Sequence, residues 1–197
     1  MKIAAHEIGF DFDGVIADTA GAFLRLACEE YEYCSFTLDD ITRFEVSECL
    51  TMPDQYINAI FHALNEDCLG AGIEPMPGAV EALSQIARLS SAPSLVHVIT
   101  ARRSRAPVAA WLAHHFPADV LPMIHLTAMG EHGDKLRYIK EYGLKFFVDD
   151  RAETCLSLAE AGISPLVFSQ PWNRRRHGLP TMANWRQIER FVLGLIV

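Results

Sequence analysis

The apolar positions of the chain follow two rhythms. Short runs rich in Val, Ile, Leu and Phe recur at Ile8–Phe12, Leu95–Ile99, Leu121–Leu126, Lys145–Val148 and Pro165–Phe168. None alternates cleanly with polar residues, which marks strands buried on both faces. Between them the spacing turns helical. Residues 78–89 place Val80, Leu83, Ile86 and Ala87 on one stripe. Residues 104–114 carry Pro107 in their first turn, where proline is tolerated. Helices are also expected over 134–142 and 151–161, with Gly143 and Gly162 at the C-cap positions. Strands alternating with helices predict an α/β fold, a three-layer, doubly wound parallel sheet.

One interval breaks the alternation. From Ala17 to Glu74 no strand is legible. Ala20, Phe23, Leu24, Ala27 and Tyr31 mark one helix, and Tyr56, Ile57, Ile60, Phe61 and Leu64 a second. The interval ends at Pro75-Met76-Pro77-Gly78, a stiff return. The expected organisation is therefore a body formed by 1–16 and 75–197, with a small helical cap, 17–74, inserted after the first strand.

Charge sharpens this division. The chain of 197 residues has a formal net charge of −8. Residues 19–74 hold eleven Asp and Glu against only Arg25 and Arg43, so the excess lies almost wholly in the helical interval. Such a balance argues against a nucleic-acid polymer as partner. Half of the residues are hydrophobic, which suits a globular chain. No apolar run approaches the ~20 residues of a membrane helix, and Met1–Phe10 has no signal-peptide pattern. The five cysteines are odd in number and lack zinc spacing, so they are expected as reduced thiols in a soluble, cytoplasmic protein.

The polar residues that matter fall at strand ends. The first strand runs into Asp11-Phe12-Asp13-Gly14-Val15, the second ends at Thr100 before Ala101-Arg102-Arg103, and the fourth ends at Asp149-Asp150. Lys135 opens the helix leading into the fourth. In an open parallel sheet these ends share one edge, and a strand order 3-2-1-4-5 makes the groups converge. Carboxylates suit a hard cation such as Mg²⁺; a hydroxyl, backbone N–H groups and a lysine suit phosphate oxygens. Together they point to phosphoryl transfer. There is no Gly-rich nucleotide loop ending in Lys-Ser/Thr, no His-Glu-x-x-His and no Gly-x-Ser-x-Gly.

Asp11-x-Asp13-Gly14-Val15, Thr100, Lys135 and Asp149-Asp150, in that order over most of the chain, resemble the four motifs of the haloacid dehalogenase (HAD) superfamily phosphatases. A receiver domain uses similar residue types in a different order. The helical insertion is similar to the superfamily's first type of cap. The resemblance implies a Mg²⁺-dependent phosphatase acting through an aspartyl-phosphate. Asp11 would be the nucleophile and a metal ligand. Asp13 would serve as acid and then base, its backbone carbonyl also on the metal. Thr100 and the following Ala101 and Arg102 would bind the substrate phosphate, and Lys135 would neutralise phosphate and Asp11. Asp150 would ligate Mg²⁺ directly, with Asp149 beside it orienting Lys135 or a metal-bound water. Arg102 and Arg103 are either charge at the site or solvated surface.

Within the superfamily the chain resembles the 5′(3′)-deoxyribonucleotidase-like group, through Ile16-Ala17-Asp18, through Phe147-Val148-Asp149-Asp150-Arg151 and through Ser169-Gln170-Pro171-Trp172-Asn173-Arg174. That implies a small phosphomonoester, a (deoxy)nucleoside monophosphate, as substrate. A sugar phosphate or other metabolite is the alternative, and a non-catalytic phosphate-binding protein the more distant one. Phe23, Phe36, Phe44 and Tyr56 are candidates to stack on a base or to pack the cap's own core. Arg174-Arg175-Arg176 is either an attraction for an anionic ligand or solvated surface. The His114-His115 pair is expected on a helix surface.

Overall fold

A computed structural model describes residues 3–89, 95–130, 135–174 and 177–194. Six strands form one parallel sheet in the order β3-β2-β1-β4-β5-β6. They are β1 (Ile8–Phe10), β2 (Val96–Thr100), β3 (Ile124–Ala128), β4 (Phe146–Asp149), β5 (Ser164–Phe168) and β6 (Thr181–Met182). Seven helices are described: α1 (Thr19–Tyr31), α2 (Asp54–Glu66), α3 (Ala79–Arg88), α4 (Arg105–His115), α5 (Lys135–Glu141), α6 (Ala152–Glu160) and α7 (Trp185–Val192).

Alternate strand residues feed two cores, because successive side chains point to opposite faces. Ile8, Phe10, Val96, Val98 and Val148 belong to the larger one, where Phe10 stacks on Trp185 of α7 at 5.3 Å and Phe12 meets Trp111 of α4 edge-on at 5.0 Å. Ile99 and Phe147 face the other way, onto Ile139 and Leu158 of α5 and α6. With both faces covered, β1, β2 and β4 are mostly apolar, His97, Thr100 and Asp149 apart, which is why no alternation shows in the sequence.

Three features differ from the sequence reading. The third strand begins at Ile124, because Pro122 lacks the N–H a ladder needs and Leu121–Met123 form a 3-10 turn instead. A sixth strand and α7 follow β5 and carry two buried aromatic anchors, Trp172 before them and Trp185 at the helix start. Finally, Cys28 and Cys34 are joined in a disulfide rather than remaining thiols. Glu32, just past α1, takes the left-handed conformation (φ 64°) and turns the chain back, so that Cys34 returns beside Cys28 in the last turn. Cys49, Cys68 and Cys155 are free, the last two buried. Asp134, Arg175 and Arg176 lie outside the described residues.

Between β1 and α3 the chain is helical: α1 and α2 pack on each other, with short 3-10 turns at Leu38–Asp40 and Val46–Glu48. It leaves and returns side by side. Ala17 pairs with Pro75, the Asp18 N–H donates to the Glu74 carbonyl and the Met76 N–H donates to the Ile16 carbonyl, both at 2.8 Å. Among the described residues no helix is long and apolar enough to cross a membrane.

Candidate active site

The carboxyl ends of β1 and β4 are neighbours, and the loops that leave them set the charged groups of the site. Asp11 follows β1 and Asp149 ends β4, their backbones joined by the Asp11 N–H donating to the Val148 carbonyl at 2.8 Å. Asp11, Asp149 and Asp150 each bring a carboxylate oxygen within 4.8 Å of the others, all three residues buried. Lys135, at the start of α5, is buried against them, its Nζ 2.6 Å from Asp149 and 3.1 Å from Asp11. The Asp149 carboxylate also accepts from the Arg151 N–H at 2.8 Å.

One ammonium against three carboxylates leaves excess negative charge in a dehydrated place. Burial, reinforced by Asp149 and Asp13, pushes the Asp11 carboxyl up to about 7, although Lys135 pulls the other way. Asp150 is also raised well above the ordinary carboxylate range, by burial and then by Asp149 and Asp11. Lys135 stays cationic: burial opposes its charge, but Asp11 and Asp149 outweigh that. Hard oxygen donors in charge excess are what a divalent cation such as Mg²⁺ binds, so the donor set fits that ion. Asp11, Asp149 and Asp150 could hold it.

Gly14 makes this cluster possible. It sits at φ +68°, in the region that favours glycine, and a methyl group there would lie 2.1 Å from Asp150 Oδ2. Asp13, on the same loop, has different partners. Its carboxylate accepts from Thr19 Oγ1 at 2.6 Å, from Arg102 Nη2 at 2.7 Å and from Arg102 Nε at 2.9 Å, with Thr100 Oγ1 3.4 Å away. Burial would raise this carboxyl, yet the Arg102 charge and its hydrogen bonds win and hold it below its ordinary value. Arg102 continues across to the helical segment, donating through Nη1 to the Leu64 carbonyl at 2.6 Å and lying 3.2 Å from Cys68 Sγ.

Thr100 is buried and accepts from the Arg102 N–H at 3.3 Å. Ala101, Arg102, Arg103 and Ser104 line a cavity of about 630 Å³ that has Asp11, Asp13 and Asp150 on its floor. Its far wall is the helical segment, with Phe23, Phe44 and Phe61 among its apolar lining and Glu45, His62, Asn65 and Glu66 among its polar lining. Of the aromatic candidates, Phe23 and Phe44 are therefore at the cavity. Phe36 and Tyr56 instead stack with Tyr33 and Tyr31. Arg103 is exposed at the rim, and Arg174 pairs with Asp39 at 3.1 Å on the outside.

Sequence reasoning counted Arg102 among the substrate-binding residues but left the place of its charge open, and it did not single out Thr19. Two buried amides, Gln170 and Asn173, also reach the site's loops. Their segment was legible only as a likeness to a subgroup and, at Pro171-Trp172, as a loop near the site mouth, with no role attached to either amide.

Comparison with known proteins bears on the same arrangement. Residues 5–196 match the family model described as 5′ nucleotidase, deoxy (pyrimidine), cytosolic type C protein. A Chlorobaculum tepidum protein provisionally named a 5′(3′)-deoxyribonucleotidase is 27% identical over 196 residues, covering 96% of this chain and 91% of its own. The mitochondrial 5′(3′)-deoxyribonucleotidase of Mus musculus is 34% identical over 123 residues, 59% of this chain and 56% of that protein. Among solved structures, a HAD-superfamily hydrolase from Ehrlichia chaffeensis shares the fold over the whole of both chains, with a TM-score of 0.54 at 15% identity.

Proposed function

The chain belongs to the 5′ nucleotidase, deoxy (pyrimidine), cytosolic type C family of HAD-superfamily phosphoric monoester hydrolases, and we propose that it hydrolyses (deoxy)nucleoside monophosphates with Mg²⁺ through an aspartyl-phosphate on Asp11. The observation that carries this reading is the convergence of Asp11, Asp149, Asp150 and Lys135 beneath a cavity walled by Phe23, Phe44 and Phe61. The phosphate would meet the carboxylates, and the base would meet the rings, where stacking is favourable.

In this mechanism Asp11 attacks phosphorus in line, and the ester P–O bond breaks. Asp13 gives its proton to the leaving oxygen. It then takes a proton from the water that attacks the aspartyl-phosphate, releasing inorganic phosphate and restoring the Asp11 carboxylate. Asp11, Asp150 and the Asp13 backbone carbonyl would hold Mg²⁺, with Asp149, already paired with Lys135, behind them; the ion would supply the positive charge that lets a carboxylate approach a phosphate. Thr100 Oγ1, the N–H groups of Ala101 and Arg102, and Lys135 Nζ bind the phosphate oxygens. The entering phosphate competes with Asp13 for the Arg102 guanidinium, which frees Asp13 to carry a proton. Residues 17–74 act as the cap over 1–16 and 75–197, hinged where Ala17 meets Pro75, and the cap rings select the leaving group.

The test is phosphate release from a panel of deoxy- and ribonucleoside monophosphates and sugar phosphates, each with Mg²⁺ and with EDTA. Turnover concentrated on deoxynucleotides and abolished by EDTA is expected. Mg²⁺-dependent turnover confined to sugar phosphates would keep the chemistry and discard the nucleotide. Asp11→Asn should lower kcat by at least ~10³ with the fold intact, because the nucleophile is gone. Near-normal turnover in that variant would rule out the aspartyl-phosphate.

A further inference from the structure

The buried loop after β5 touches the site in a way that the phosphatase chemistry does not itself require. Asn173 is almost wholly buried, and its side-chain N–H₂ donates to the carbonyls of Asp150 and Phe168, both at 2.7 Å. Its Oδ1 accepts from the Gln170 N–H at 3.1 Å. Gln170, also buried, donates from Nε2 to the Gly14 carbonyl at 2.7 Å. Two amides thus tie together the loops that follow β1, β4 and β5. The ring of Trp172, between them, lies 3.3 Å from where a Gly14 methyl would be, on the side of the Asp150 carboxylate.

We infer that Gln170 and Asn173 are positioning residues for the cation site: they hold the Asp150 carboxylate against Asp11 and Asp149 without neutralising it. Three observations carry this. The carboxylates repel one another, so the backbone of Asp150 needs an independent anchor to stay within 4.8 Å of its neighbours. The anchors are neutral amides on carbonyls, whereas a Lys or Arg there would have cancelled the charge that draws a cation. And among the described residues nothing donates a hydrogen bond to the Asp150 carboxylate itself, although the residue is only 4% exposed and lines the cavity. A buried carboxylate held in place yet left without a donor is available to a ligand that is not in the chain.

This rests on the cation site proposed above, and the experiment separates the two. Mg²⁺ binding to the whole protein is measured by calorimetry, together with the rise in Tm that Mg²⁺ causes. Asn173→Ala is expected to weaken Kd by at least ~10-fold and to shrink the Mg²⁺-induced rise in Tm. Tyr142→Phe is the control, since it keeps the ring and removes a hydrogen bond of similar length, between Tyr142 Oη and Thr127 Oγ1 at 3.0 Å, away from the carboxylates. It should lower Tm and leave Kd unchanged. Wild-type Kd in Asn173→Ala, or equal weakening in Tyr142→Phe, would overturn the inference. If Asn173→Ala does not fold, Gln170→Met decides, because it loses the bond to Gly14 and keeps the shape: an unchanged Kd there overturns the inference, and a weakened one supports it. No Mg²⁺ binding by the wild type would instead overturn the cation site itself.

Discussion

Lys135 sits among carboxylates that outnumber it, and its removal should be felt first as instability. Taking one partner from a buried ion pair typically costs about 3–5 kcal/mol, because the remaining charge is left in low dielectric. Lys135→Met should therefore lower the Tm measured in EDTA, and Mg²⁺ should raise the variant's Tm by more than it raises the wild type's, since a cation can replace the lost charge. Equal thermal stability of the two proteins in EDTA would show that the ammonium does not hold the cluster together. Arg102 differs, since it connects rather than neutralises: its fork reaches Asp13 and the end of α2 at once. Arg102→Ala is expected to raise KM by at least ~10-fold with a smaller loss in kcat, and Arg102→Lys to recover little, because a point charge cannot span both partners. A kcat loss without a change in KM would contradict that picture. Asp11, Asp13, Thr100, Asp149 and Asp150 stood out in the sequence because polar residues of these types follow or end apolar strands, and Lys135 because it opens the helix before the fourth strand. Thr19, Gln170 and Asn173 were not, because their use depends on which carboxylate or carbonyl lies opposite, and local pattern does not contain that.

At the scale of elements, the strands that neighbour the site were readable because their apolar runs are buried on both faces, and the helices between them because their stripes are narrow. What was missed has local causes. Pro122 delays β3, β6 has only two residues, and the disulfide depends on the left-handed turn at Glu32. One element-level device is testable. His97 on β2 lies in register with His125 on β3 and stacks on Tyr142 beyond α5 at 4.5 Å. Its Nδ1 finds no hydrogen-bond partner among the described residues. Burial, helped by His125 and His6, pushes its pKa down to about 4 from an ordinary 6.5. Between those values the unfolded chain takes up a proton that the folded one refuses, so stability falls as the pH is lowered from 6.5 towards 4. His97→Phe keeps the ring contact and removes the titration. Its Tm should drop less than that of the wild type between pH 7 and pH 4.5. Parallel Tm–pH curves would show that His97 does not couple protonation to folding.

Across the whole molecule, charge is divided between a helical segment that carries nearly all the excess acid and a body that supplies the cations holding it. Arg102 reaches the Leu64 carbonyl, Arg174 pairs with Asp39, and the Arg151 guanidinium lies 4.5 Å over the Phe44 ring. The cavity lining has Arg102 and Arg103 beside the site carboxylates and, on the helical segment, the acids Glu45 and Glu66. A monophosphate can place its charge at the floor, whereas a triphosphate must leave charge near the wall. At ~10 Å in water each pair of unit charges costs about 0.4 kcal/mol, so a few such pairs amount to roughly 1–2 kcal/mol, or about 5- to 30-fold in affinity. The expected result is that kcat/KM for a nucleoside triphosphate falls about 5- to 30-fold below that for its monophosphate at low ionic strength. Raising salt to ~0.15 M, where the screening length is about 8 Å, should narrow the gap. The double substitution Glu45→Gln and Glu66→Gln should narrow it at low salt as well. A gap that ignores both salt and the substitutions would assign the discrimination to cavity shape, and no gap at all would show that the acidic wall does not face the substrate.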